Sequence, residues 1–154
     1  MELQKLALHA ESSGEARISA SSVDSLIDGL STNALQVGDA LLAGDPGQAI
    51  ALLDALNDAG EPALRIVATL TGQIRGWLWV MLLEQQGERD VGVIAKAAGI
   101  GNPKRIYVMR KQLQGRSPQR CLNLLGRLLD VEAALKRGTQ PGDAFRDGLL
   151  GAAQ

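Results

Sequence analysis

The chain has 154 residues, which is enough for one domain with a hydrophobic core and a short additional segment. Its hydrophobic fraction of 45% comes mainly from Leu, Ala, Ile and Val, and only 3% of the residues are aromatic, so helices are favoured over strands. The single cysteine, Cys121, excludes an intrachain disulfide and a cysteine-cluster metal site.

Charge and hydropathy also limit the choice of partners. No uninterrupted apolar run reaches the ~18 residues of a membrane-spanning helix, and residues 1–17 lack the apolar core of a secretory signal. We therefore expect a soluble, cytoplasmic protein with no membrane partner. The net charge of −1 combines 6 Lys+Arg and 13 Asp+Glu in residues 1–100 with 10 and 4 in residues 101–154. This asymmetry indicates either a charged partner for the C-terminal part or a solvated basic helix face.

Two short helices are predicted before residue 31. The first runs from Glu2 to Ala10. The second follows a capping box formed by Ser21 and Asp24. Its apolar residues recur at helical spacing and are Val23, Leu26, Ile27 and Leu30. The polar stretch after Leu30 indicates a break, and we place a domain boundary there.

A helical hairpin follows this boundary. Ala34 to Ala43 forms its first helix. Asp45 can cap the second helix and Pro46 suits its first position, so this helix is predicted to run to about Asp58.

The next helix, about Pro62 to Gln86, is apolar on two faces, which predicts a buried central helix. Gly72 and Gly76 lie on a third stripe, where we expect another helix to approach closely. Trp77 and Trp79 project in different directions. We expect both in the core, with the alternative that one is an exposed anchor for a partner.

Four further helices complete the prediction: Asp90 to Ala98, Pro103 to Gln114, Pro118 to about Arg137, and one starting at Pro141. The expected fold is all-α, a bundle of about seven helices preceded by a two-helix remnant.

Residues suited to catalysis are scarce. His9 is the only histidine, and Cys121 falls on an apolar helix, where a free cysteine behaves as a small hydrophobe. Carboxylates at helical spacing, such as Asp54 and Asp58, are too few for a calcium or magnesium site and fit a solvated face better. No phosphate-binding glycine-rich loop is present. We expect no catalytic site, no cofactor and no metal.

One segment resembles a DNA-binding helix-turn-helix. The short helix ending at Ala98 is followed by a glycine turn and a more basic helix, over residues 90–115. The cations that would contact phosphates are Lys104, Arg105, Arg110 and Lys111. Turns of this kind are also common between packing helices, so DNA binding is the alternative interpretation.

Three segments resemble a known family when taken in order. They are ALLAGDPGQAIALLDALNDAGEPALRIVATLTGQIRGWL from residue 40, IAKAAGIGNPKRIY from residue 94 and LLDVEAALKRG from residue 128. They are similar to the C-terminal region of bacterial DNA polymerase III delta subunits. The resemblance implies that residues 1–30 are the tail of a helical lid domain and residues 31–154 a helical collar domain. It also implies that the chain lacks the clamp-opening part and does not hydrolyse ATP.

The same resemblance implies partners. The collar would join the delta-prime and ATPase subunits in the clamp-loader ring of a DNA-directed DNA polymerase, which is a nucleotidyltransferase holoenzyme. Contact with the sliding clamp would need the absent N-terminal domain, and contact with DNA would be indirect or weak. We expect the interface to include exposed basic side chains, namely Arg116, Arg120 and Arg127.

Overall fold

The structure, a computed structural model, describes residues 33–150. This part of the chain forms seven α-helices and contains no strand. They are α1 (33–43), α2 (Pro46–Asp58), α3 (Ala63–Gln85), α4 (Val91–Ala98), α5 (Arg105–Leu113), α6 (Pro118–Lys136) and α7 (Pro141–Leu150). The predicted all-α bundle of seven helices is confirmed. The helices predicted before residue 31 lie outside the described residues, and so do Ser21, Asp24 and His9.

The helix ends follow from local sequence. Asp45 caps α2 by accepting a hydrogen bond from the Gln48 N–H at 3.1 Å, and Asp90 caps α4 by accepting one from the Gly92 N–H at 2.8 Å. A glycine with positive φ follows each of the first six helices: Gly44, Gly60, Gly87, Gly99, Gly115 and Gly138. Because L side chains rarely adopt this conformation, glycine at these sites stops each helix where the sequence indicates.

The helices pack in a definite order, with α3 in the middle. α2 packs on α7, α7 on α6, α6 on α3, and α3 on both α4 and α5. The largest fully buried side chains include Trp77, Leu56, Ile66, Leu70, Ile74, Ile94, Ile106 and Leu128. Residues 34–150 belong to one compact unit. The prediction that α3 is the central helix is therefore confirmed.

α3 also has the length and composition of a membrane-spanning helix, with 23 residues and a mean hydropathy of 1.4 over its most apolar window. Of that window 44% is buried inside the fold, and core helices of soluble proteins have the same composition. Arg75, on the same helix, is exposed to solvent. Because α3 is partly buried and packs on α4, α5 and α6, it is the core helix of this bundle.

Two predictions about α3 are wrong. Trp77 is buried, but Trp79 is 45% exposed, so only one tryptophan belongs to the core. Gly72 is exposed and a Cβ there would meet no atom within 4 Å, whereas Gly76 is buried and a Cβ there would lie 3.7 Å from Met109 of α5, an ordinary contact that does not require glycine. The sequence pattern identifies small residues but does not tell which helix face meets a neighbour.

The close approaches lie on other helices. A Cβ at Gly38 of α1 would overlap the Gln73 Oε1 atom of α3 and lie 2.5 Å from Gln73 Cδ. A Cβ at Gly148 of α7 would overlap the Val131 Cγ2 atom of α6. These two glycines allow α1 to pack on α3 and α7 on α6.

Candidate functional site

Groups that could carry out catalysis do not come together in the described part of the chain. No cluster of three or more His, Cys, Asp or Glu side chains is found there. Cys121 is fully buried in α6. Desolvation raises the pKa of its thiol to about 11, and the nearby Arg120 charge only partly opposes this shift. A thiol that stays protonated and out of reach of solvent is a packing group and not a nucleophile.

The carboxylate pair on α2 has a structural role. Asp54 Oδ2 forms an ion pair with Arg146 Nη2 of α7 at 2.7 Å, while Asp58 is exposed. Asp54 therefore joins α2 to α7, and the pair does not present two free carboxylates to a cation.

A polar cluster joins three helices on one side of the bundle. The Gln73 amide Nε2 of α3 donates to the Leu35 carbonyl at 2.9 Å and to Asp39 Oδ1 at 3.2 Å, both on α1. The Gln112 amide of α5 donates to the same Asp39 oxygen at 3.1 Å. Partial burial raises the pKa of Asp39, against the opposing effects of the Gln112 hydrogen bond and the Arg105 charge. This cluster holds α1 and α5 against α3.

The four cations of the helix-turn-helix-like segment have different surroundings. Lys104, Arg105 and Lys111 are exposed. Arg110 is half-buried, because its Nε donates to Glu84 Oε1 and its Nη2 donates to the Arg89 carbonyl at 3.3 Å. Arg110 therefore ties α5 to the end of α3.

The connection between α4 and α5 also differs from the DNA-binding motif. Six residues, 99–104, separate the two helices, whereas the motif joins its helices by about three or four residues. α5 buries Ile106, Met109 and Leu113, and its outer face is left to solvent. The geometry is that of two short helices packed on a core.

The three arginines expected at a partner interface lie in different places. Arg116 is exposed, beyond the end of α5. Arg120 is half-buried and not an exposed side chain as expected: its Nε and Nη2 donate to the Leu42 and Leu41 carbonyls at 3.0 and 2.9 Å. It therefore caps the end of α1. Arg127 is also half-buried, on α6. Arg120 and Arg127 lie seven residues apart on one face of α6, and only Arg116 of the three is exposed.

Arg116 and Arg127 each line an open cleft. The first has a volume of about 340 Å³ and is lined by Met81, Glu84, Gln85, Arg89, Arg110, Leu113, Gln114 and Arg116. The second, of about 270 Å³, is lined by Arg127, Asp130, Ala134, Arg137, Thr139, Ala144, Asp147 and Gly148. Charges of both signs line both clefts, and no buried acid–base pair faces either of them.

Large apolar side chains remain on the outer surface of the bundle. Trp79 of α3 is 45% exposed, and Leu122 and Leu129 of α6 are 49% and 66% exposed. The two leucines lie seven residues apart on one helix face, with the small exposed residues Gly126 and Ala133 in the same stripe. Exposed apolar side chains that share a face are suited to binding another protein.

Comparisons with known proteins agree with this description. The searches of curated proteins and of solved structures return no significant match. A family model, the DNA polymerase III delta subunit, C-terminal domain, matches residues 31–145. The match covers more than half of the chain and includes the seven helices up to the first half of α7. The family is a non-catalytic clamp-loader subunit of the polymerase. The chain therefore belongs to the family formed by the C-terminal domains of DNA polymerase III delta subunits.

Proposed function

We propose that this domain is an assembly module that holds the delta subunit in the clamp-loader ring by packing against the helical domains of neighbouring subunits. The partners are the delta-prime and ATPase subunits, and the process served is loading of the sliding clamp in the cytoplasm during DNA replication. In this proposal residues 31–154 are the collar and residues 1–30 the tail of the lid. The chain would act within a nucleotidyltransferase holoenzyme without catalysing nucleotide transfer itself.

The main support is the apolar stripe on α6. Leu122 is 49% exposed and Leu129 is 66% exposed, although the opposite face of α6 is buried in the core. Leu122, Gly126, Leu129 and Ala133 repeat along one face with alternating large and small side chains, a surface on which a second helix can pack. Interfaces of this kind gain affinity mainly from a few buried apolar contacts at their centre.

The test combines binding with a matched substitution. The purified chain is immobilised, and the cognate delta-prime and ATPase subunits are titrated over it. Leu122→Asp with Leu129→Asp should weaken binding by about tenfold or more, because two interface contacts are lost. Ala68→Asp with Gln85→Asp adds the same charge at two exposed positions of α3, outside the α6 stripe, and should change binding little. Equal binding by the two variants would rule out the α6 stripe as the contact.

DNA binding by the segment 90–115 is the second candidate. The exposed Lys104, Arg105 and Lys111 favour it, whereas the interactions of Arg110 with Glu84 and Arg89 weigh against it. A duplex titration at several salt concentrations measures this directly, since each phosphate contact contributes about 0.9 to the salt slope. Unchanged affinity after Lys104→Ala with Arg105→Ala would rule it out.

A further inference from the structure

Charge is strongly segregated along the sequence. Residues 33–64 contain five acidic residues and no Lys or Arg, whereas residues 91–129 contain eight Lys or Arg and no acidic residue. The acidic segment forms α1, α2 and the turn after α2. The basic segment forms α4, α5 and the first part of α6.

The packing order separates the acidic side chains of α2 from the basic side chains of α5. α2 and the pair α4–α5 stand at the two ends of the order that runs through α7, α6 and α3. On the α2 side, Asp45 and Asp58 are exposed. On the α5 side, Lys104, Arg105 and Lys111 are exposed. α2 does not pack on α4 or α5, so its exposed carboxylates lie apart from the basic face of α5; α1, the other helix of the acidic segment, contacts α5 through Asp39.

The outer face of α5 combines this charge with apolar side chains. Lys104, Tyr107, Val108 and Lys111 lie at i, i+3, i+4 and i+7, on one side of the helix. Tyr107 is 55% exposed and Val108 is 60% exposed, although Ile106 and Met109 beside them are buried. Neither lysine forms an ion pair within residues 33–150. An apolar centre with unpaired cations at both ends has the composition of an interface core and its charged rim.

We propose that the outer face of α5, formed by Lys104, Tyr107, Val108 and Lys111, binds an acidic amphipathic helix of the neighbouring subunit's helical domain. The inference rests on the proposed function and specifies one face and the chemistry of its partner. Carboxylates of that helix pair with Lys104 and Lys111, and its apolar side chains cover Val108 and Tyr107. The exposed carboxylates Asp45 and Asp58, before and at the end of α2, then remain for a basic surface on the other neighbour, so the domain would present different surfaces to its two neighbours, as a head-to-tail ring does.

A protein partner explains the face better than a nucleic acid does. Phosphates interact with the lysines alone, and they leave Val108, at the centre of the face, exposed to water. Tyr107 could stack on a base, but Arg110 already lies 5.7 Å from the centre of its ring. An acidic amphipathic helix matches both the charge and the apolar centre of the face.

The first test reverses the charge. Lys104→Glu with Lys111→Glu is compared with Arg75→Glu with Arg137→Glu, which changes the net charge equally at exposed positions outside α5. Binding to the cognate delta-prime and ATPase subunits is measured at low and high ionic strength. The α5 variant should bind about tenfold more weakly than the control at low salt, and the difference should shrink at high salt. Equal binding by the two variants would overturn the proposal.

The second test addresses the apolar centre. Val108→Asp should weaken binding by about tenfold at both ionic strengths, since it removes an apolar contact and adds a charge of the partner's sign. Leu150→Asp, at an exposed leucine at the end of α7, is the control, and circular dichroism checks that both variants fold. Binding of the Val108 variant at the level of the control would contradict a protein contact here.

Two outcomes separate this inference from the alternatives. If the unmodified chain binds none of the cognate subunits, the proposed function itself fails. If it binds them normally after the α5 reversal but loses affinity for a labelled DNA duplex, the basic face serves DNA and the inference is overturned.

Discussion

The contact between Gly38 and Gln73 makes a sharp prediction about stability. Gly38 is buried in α1, and a Cβ at this position would overlap the Gln73 Oε1 atom and lie 3.0 Å from Nε2. Gly38→Ala must therefore displace the Gln73 amide. That amide donates the hydrogen bonds to Leu35 and Asp39 that hold α1 on α3.

The expected magnitude follows from three contributions. Loss of two hydrogen bonds costs about 1 kcal/mol each, and because the overlapped atoms are the far end of the flexible Gln73 side chain, repacking around the methyl group costs about 1 kcal/mol, the lower end of the usual range. Alanine in place of glycine within a helix returns about 1 kcal/mol. Gly38→Ala should thus lower the free energy of unfolding by about 2 kcal/mol.

Urea unfolding followed by circular dichroism measures this change, with the slope checked for constancy. Gly126→Ala is the matched control, because this glycine is exposed in α6 and a Cβ there meets no atom within 4 Å. It should stabilise the fold by about 0.5–1 kcal/mol. In a Gln73→Ala background the Gly38→Ala substitution should lose its cost. Equal stability of Gly38→Ala and the unmodified chain would refute the close packing of α1 on α3.

Three other substitutions or reactions test the structure elsewhere. Gly148→Ala should destabilise the fold by roughly 1–3 kcal/mol in urea, because its Cβ would overlap Val131, and Val131→Ala should relieve most of this cost. The Cys121 thiol, whose pKa burial raises to about 11, should react with iodoacetamide at pH 7 only after urea unfolds the chain; rapid reaction in buffer would contradict its burial. The raised pKa of Asp39 means that its stabilising contribution is present below the ordinary value of 3.8 and is lost as the pH rises through the folded-state value. In Asp39→Asn the free energy of unfolding should no longer fall as the pH rises through that value, and at pH 7 this variant should be at least as stable as the unmodified chain. Urea unfolding at a series of pH values from below 3.8 to 7 measures both effects.

Helix positions could be predicted from sequence because local chemistry sets them. Asp45 with Pro46 marks the start of α2, and Gly99 with positive φ marks the end of α4. These signals act over a few residues, so they are visible without knowing the fold. The seven helices therefore lie close to the predicted bounds.

Which face of a helix meets a neighbour was harder to predict. Trp79 and Gly72 fit a helix buried on several sides, yet both lie on the exposed side of α3. The roles of Arg110 and Arg120 depend on partners that are 26 and about 78 residues away. Sequence spacing gives the position of a residue around its own helix, but not the neighbouring helix that its side chain contacts.

For the candidate site, too, the sequence predicted the composition but not the spatial arrangement. The basic character of residues 101–154 was evident from composition, as was the scarcity of catalytic groups. The separation of the exposed carboxylates of α2 from the basic face of α5 emerges only from the packing order. The outer face of α5 therefore depends on both the sequence and the fold.

The central claim is that this chain is an assembly module of the clamp loader, and light scattering on a sizing column tests it most directly. The chain is run alone and then mixed with the cognate delta-prime and ATPase subunits at micromolar concentration. We predict one peak whose mass equals a stoichiometric complex that includes the chain. Elution of the chain at its own mass, beside an assembled complex of the other subunits, would contradict the proposed function.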